Sequence, residues 1–105
     1  MADPIVTQNE HAEKPRFEAH VDGELAGFAE YLVAGKRIVF THTEVDPAFE
    51  GQGVGGAIAR FGLDHVRDGG ELEVVPVCPF IANWIHKHPE YAELVTPALR
   101  PQFQS

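Results

Sequence analysis

Between residues 37 and 66 the apolar pattern changes its period, and it does so across the six residues GQGVGG at 51–56. Upstream, RIVFTHTEV (37–45) is rich in β-branched and aromatic residues and reads as a strand. Downstream, Val54, Ala57, Ile58, Phe61 and Val66 fall on one stripe of a helix. Glycine loses more conformational freedom on folding than any other residue, so four glycines in six positions need a physical reason. One reason is a ligand. A glycine turn feeding a helix N-terminus exposes free amides ahead of the positive end of the helix dipole, which suits a phosphate. The other is that the loop merely connects strand to helix.

The flanking sequence supplies the rest of a small sheet. RFEAHV (16–21) alternates, with Phe17, Ala19 and Val21 on one face, as a half-buried strand does. Asp22-Gly23 is a hairpin turn, ELAGFAEYL (24–32) resumes the strand pattern, and Ala-Gly-Lys at 34–36 turns the chain again. The three strands are expected as an antiparallel meander. Residues 1–15 carry Pro4 and Pro15 and read as a polar arm with an edge pairing at Ile5-Val6. The helix from Val54 ends at Asp68-Gly69-Gly70. Gly62 lies on its apolar stripe and weakens it unless close packing compensates. ELEVVPV (71–77) is a buried strand interrupted by Pro76. Pro79 then opens a short amphipathic helix, Pro89 stops it, and Tyr91, Leu94 and Val95 mark one further turn. The order βββ–α–β–α describes an α/β (α+β) domain on one mixed, mostly antiparallel sheet with two main helices.

Composition narrows the function. A chain of 105 residues, 44% apolar and 23% charged, is one globular domain with a core. A formal charge of −8 argues against a nucleic-acid partner and leaves cationic acceptors open. No apolar run is long enough to span a bilayer, and the first residues lack the apolar segment of a secretory signal. A single cysteine excludes an internal disulfide. Together these predict a cytoplasmic protein.

Two phosphate motifs can be tested on the glycine loop. Walker A fails because Ala57 and Ile58 follow Gly56 where Lys and Ser or Thr are required. Gly51, Gly53 and Gly56 satisfy G-x-G-x-x-G, but Asp46–Glu50 separates them from the strand and the chain has too few strands for a Rossmann sheet.

EVDPAFEGQGVGGAIARF (44–61) and VPVCPFIANWIHKHPEY (75–91) together resemble the small, single-domain members of the GNAT N-acetyltransferase superfamily, over about residues 16–95. In that family a Q/R-x-x-G-x-G/A loop opens a helix. Here Gly53 and Gly55 match, and Glu50 stands where Gln or Arg is usual. The resemblance implies a minimal GNAT fold with a β-bulge and two splayed strands. It also implies acetyl-CoA as co-substrate, with its pyrophosphate on Gly51, Gln52, Gly53, Val54, Gly55 and Gly56 and its pantetheine arm along Val45. Pro76 agrees with a gap between the splayed strands, since proline removes a ladder donor.

Three groups remain for chemistry. Cys78 ends a strand just before Pro79, and a thiol at a helix N-terminus gains thiolate character. It either accepts the acetyl group or steers the acceptor, or else it is a small buried hydrophobe. The resemblance places Ile85 where many relatives carry a general-acid tyrosine. His42 and Glu44 share one strand face by period two, with Ile38 and Phe40 continuing that face toward the core. As a pair they are a base for an amine, His42 being the better one because imidazole titrates near neutrality, or they are simply solvated. His86 and His88 are at i and i+2, which does not put two imidazoles on one helix face, so no metal is expected. Arg60 and Lys87 either meet CoA phosphates or are solvated; Trp84 and Tyr91 are assigned to the core.

The expected organisation is therefore a polar arm (1–15), a GNAT-like acetyl-CoA-binding domain (16–97) and a C-terminal tail (98–105). The expected activity is transfer of an acetyl group from acetyl-CoA to an amine, directly or through Cys78. The alternative is a CoA-binding module without efficient transfer. The tight Asp22-Gly23 turn replaces the helices that family members carry between the first strands. The acceptor site is then open, or is completed by a protein partner.

Overall fold

The computed structural model describes residues 3–103. Its elements are β1 (Ile5–Asn9), β2 (Arg16–Val21), β3 (Glu24–Ala34), β4 (Arg37–Val45), α1 (Val54–Gly69), β5 (Glu73–Pro76) and α2 (Pro79–Lys87), with 3-10 turns at Pro47–Phe49, Pro89–Leu94 and Arg100–Phe103. One sheet runs in the order β1-β2-β3-β4-β5. The first four strands are antiparallel neighbours and β5 is parallel to β4. This is the mixed, mostly antiparallel sheet with two main helices that the sequence predicts. The edge pairing at Ile5-Val6 is part of a full five-residue strand on β2.

Local chemistry sets each junction. Asp22 and Gly23 both adopt positive φ (50° and 83°), as a two-residue type I′ hairpin requires. α1 crosses the sheet and buries Val54, Ile58, Leu63 and Val66 against it. At Gly62 a β-carbon would lie 3.2 Å from the ring of Phe17 and 3.4 Å from that of Phe40, so the missing side chain is what lets the helix sit down on two core rings. Ile81, Trp84 and Ile85 fix α2 beside it; Trp84 and Tyr91 are core residues, as expected. The C-terminal segment is anchored by Phe103, buried and stacked on His86.

Two irregularities in the sheet position the site. First, Tyr31 opposes Phe40 and Glu30 opposes His42, leaving Thr41 as an extra residue in β4. Such a bulge advances the chain by one and reverses the faces beyond it. Ile38 and Phe40 point into the core, but after the bulge it is Thr43 and Val45 that turn to that side, and His42 and Glu44 turn away. This corrects the expectation that His42 and Glu44 continue the face of Ile38 and Phe40. Period-two counting fails where a residue is inserted. Second, the β4–β5 ladder stops at Phe40 and Pro76, so Thr43–Val45 have no partner on β5. The splay lies at the proline, where a ladder donor is missing.

Candidate active site

The chain leaves β4 through Asp46, whose carboxylate caps the 3-10 turn by accepting from Ala48 N–H at 2.9 Å. Asp46 N–H donates to Ala26 O of β3. Backbone groups alternate direction along a strand, so those of Val45 and Thr43 turn the other way, into the gap beside β5. Gly51 and Gly53 then take positive φ (82° and 79°), and Gly53 is the N-cap of α1. A β-carbon on Gly53 would meet no atom within 4 Å, so the space above it is open.

The first hydrogen bond of α1 is Ala57 N–H to Gly53 O, 3.0 Å. The amides of Val54, Gly55 and Gly56 therefore precede any intrahelical carbonyl and face outward from the helix end with its dipole behind them. Gln52 N–H is committed to Phe49 O at 3.3 Å, so within the loop it is a turn residue. Gly55 has a further reason to be glycine: a β-carbon there would lie 2.6 Å from Cζ of Phe80 on α2. Phe80 is 40% exposed and can move. Gly55→Ala is therefore expected to cost about 1 kcal/mol by displacing the ring, and Phe80→Ala should restore the loss in the double variant. Thermal melts of the two single variants and the double check this.

The N-terminus of α2 meets the same gap. Cys78 is its N-cap, with no side-chain capping bond and Pro79 at the first helical position. Cys78 N–H donates to Phe40 O (2.8 Å), which ties the helix start to the last residue of β4 that pairs with β5. Its thiol is buried, 3% exposed, and donates to Thr43 Oγ1 at 3.3 Å. The two helix N-termini thus converge beside a strand gap, with a thiol and a hydroxyl at its floor. The sequence does not mark Thr43, because only the pairing of β4 with β3 creates the bulge that brings it to this side. Ile85 is completely buried and has no acidic proton to give.

On the opposite side of β4, His42 Nε2 lies 3.2 Å from Glu44 Oε1. Both side chains are more than half exposed. The rings of Phe28 and His42 approach to 6.4 Å, and the guanidinium of Arg16 sits 4.4 Å above Phe28. A cavity of about 500 Å³ borders this area, lined by Leu25, Gly27, Phe28, Glu44, Asp46 and Pro47 among others. It offers two carboxylates beside apolar walls. Near it, burial alone would raise the pKa of Glu18. Hydrogen bonds from Arg16 and Asn9, with the charges of Arg16 and His20, outweigh that and hold the carboxyl below its usual value. A depressed folded pKa contributes stability that is complete above the unfolded value and is lost as pH falls through the folded one. Glu18→Gln should accordingly flatten the acid limb of a pH–stability curve, and urea melts at several pH values read this directly.

His88 and Arg60 make contacts outside the gap. His88 stacks on Trp84 with Nδ1 at 2.8 Å from Trp84 O. Arg60 donates to Tyr91 Oη (3.3 Å), whose hydroxyl donates to Asp64 (2.6 Å). Among the described residues no three His, Cys, Asp or Glu side chains are placed to hold a metal ion. No helix among them is long and apolar enough to cross a membrane.

Comparison with known proteins agrees with this architecture. The crystal structure of nourseothricin acetyltransferase superposes with a TM-score of 0.52 at 21% identity, over 86% of this chain and 68% of that one, which is a likeness of fold. No curated protein sequence matches. The model of the GCN5-related N-acetyl-transferase family matches residues 16–94, a stretch that contains the bulged strand, the glycine loop, both helices and Cys78. The chain belongs to the GCN5-related N-acetyl-transferase family and is an acetyltransferase domain of minimal size.

Proposed function

We propose that the protein transfers the acetyl group of acetyl-CoA directly to a primary amine that approaches from the open face of the sheet. The carrying observation is the convergence of both helix N-termini on the β4–β5 gap. The free amides of α1 suit a pyrophosphate, and Gly53 leaves room for it. The backbone of Thr43 and Val45 suits an amide-bearing arm lying in the gap, and the thioester then reaches Cys78 and Thr43.

Each remaining residue has one task. The amine nitrogen attacks the thioester carbonyl, the C–N bond forms and the C–S bond breaks. His42 takes the ammonium proton, and Glu44 beside it stabilises the resulting imidazolium. The departing thiolate takes a proton from the Cys78–Thr43 pair, which supplies the acid that Ile85 lacks. Direct transfer is favoured over an acetyl-cysteine because, among the described residues, the thiol's hydrogen bond is to Thr43 and to no basic side chain. The pocket between Phe28 and Glu44 suits a cationic acceptor with an apolar body.

The test is release of CoA thiol from acetyl-CoA across a panel of alkyl and arylalkyl amines. At least one amine is expected to accelerate release. His42→Ala is expected to lower kcat about a hundredfold, the scale of general-base catalysis, with acetyl-CoA affinity unchanged. Acetyl-CoA binding without acceleration by any amine would replace this reading with a binding module.

A further inference from the structure

The far end of the sheet holds a second cavity that acetyl transfer does not use. Its volume is about 440 Å³. The last two turns of α1 line it with His65, Val66 and Gly69, at the opposite end of the helix from Gly53. Its floor is apolar, from Ile38, Val66, Leu72 and the ring of Tyr31, and β1 with the chain leading to β2 closes one side through Gln8, Glu10 and Pro15. This volume is within the range of small-molecule sites, and an apolar floor with a few convergent polar groups is their usual construction.

Two features give the ligand its chemistry. Glu10 and Glu71 stand at the rim, and among the described residues no lysine or arginine lines the cavity. Tyr31 is only 5% exposed, and its hydroxyl accepts from Gln8 Nε2 at 2.6 Å. Among the described residues the hydroxyl has no second partner, and a phenol that accepts one hydrogen bond can still donate one to a ligand in the cavity. Burial raises the Tyr31 pKa, the hydrogen bond from Gln8 lowers it, and the charge of Glu10 adds to the rise.

We propose that this cavity binds a small organic cation: an ammonium group on an aromatic or apolar body that also carries one hydrogen-bond acceptor. The ammonium group meets Glu10 and Glu71, the body covers Ile38, Val66 and Leu72, and the acceptor takes the hydrogen of Tyr31. Because the ligand bridges the β1–β2 connection to α1, occupancy stabilises the fold without touching the glycine loop. The site stands independently of the acetyl-transfer reading.

The probe is 2-amino-1-phenylethanol, titrated into the ¹⁵N-labelled full chain without acetyl-CoA. Its uncharged counterpart 1-phenyl-1,2-ethanediol is the control. Saturable amide shifts are expected around Gln8, Tyr31, His65 and Leu72. The Glu10→Gln/Glu71→Gln double variant, altered only at exposed side chains, should keep its spectrum and bind roughly tenfold more weakly, the scale of one charge-assisted contact. Absence of saturable shifts overturns the proposal. So does equal binding of the diol, an unchanged affinity in the double variant, or shifts confined to Phe28, Val45 and Gly53.

Discussion

Gly53→Val is expected to weaken the proposed acetyl-CoA binding by about a hundredfold or more and to leave a folded protein. The reasons are local. Gly53 holds φ at 79° as the N-cap of α1, a conformation that costs a branched L-residue roughly 1–2 kcal/mol. That strain is small against the stability of a domain, and a β-carbon there would meet no atom within 4 Å apart from its chain neighbours. The empty direction is the space assigned to the pyrophosphate. Filling it removes access to at least two of the free amides, at about 1.5 kcal/mol for each charge-assisted hydrogen bond. Calorimetric titration gives the affinity and a urea melt gives the stability. A variant that melts near the parent yet binds normally would remove the cradle from the account. Gly55 is no substitute for this experiment, since Phe80 already occupies the space its side chain would need.

Cys78→Ala should separate binding from chemistry. The thiol is buried against Thr43, so losing it opens a small void worth about 1 kcal/mol of stability. Acetyl-CoA affinity should change little, because the cradle lies on α1. The kcat should fall about a hundredfold through loss of the proton delivered to the leaving thiolate. Cys78→Ser keeps a donor and should recover part of the rate, which a purely structural role would not predict. Intact-mass measurement of the parent after incubation with acetyl-CoA should show no stable acetyl adduct on Cys78. An adduct that disappears in Cys78→Ala would establish the covalent route instead.

How far the sequence could be read depended on whether a feature was local. The hairpin at Asp22-Gly23, the N-cap at Cys78, the proline stop after α2 and the break at Pro76 are each set by one or two residues, and each was legible. The glycine loop was legible as a source of free amides because those at a helix start need no tertiary context. The faces of β4 were not. Thr41 is an ordinary strand residue, and only pairing with Glu30 and Tyr31 makes it the extra one. That one residue moved His42 and Glu44 to the open side and brought Thr43 to Cys78. Phe80 over Gly55 was hidden for the same reason: it joins two helix starts 25 positions apart. One glycine pattern thus holds two causes, open space at Gly53 and a packed ring at Gly55.

Amide-shift mapping on the ¹⁵N-labelled chain during titration with acetyl-CoA tests the central claim most directly. Saturable shifts are expected to be largest at Gly53–Gly56 and at Thr43–Val45, with Cys78 following, and with Tyr31 and His65 unmoved. No binding, or shifts centred away from the glycine loop and the β4–β5 gap, would contradict it.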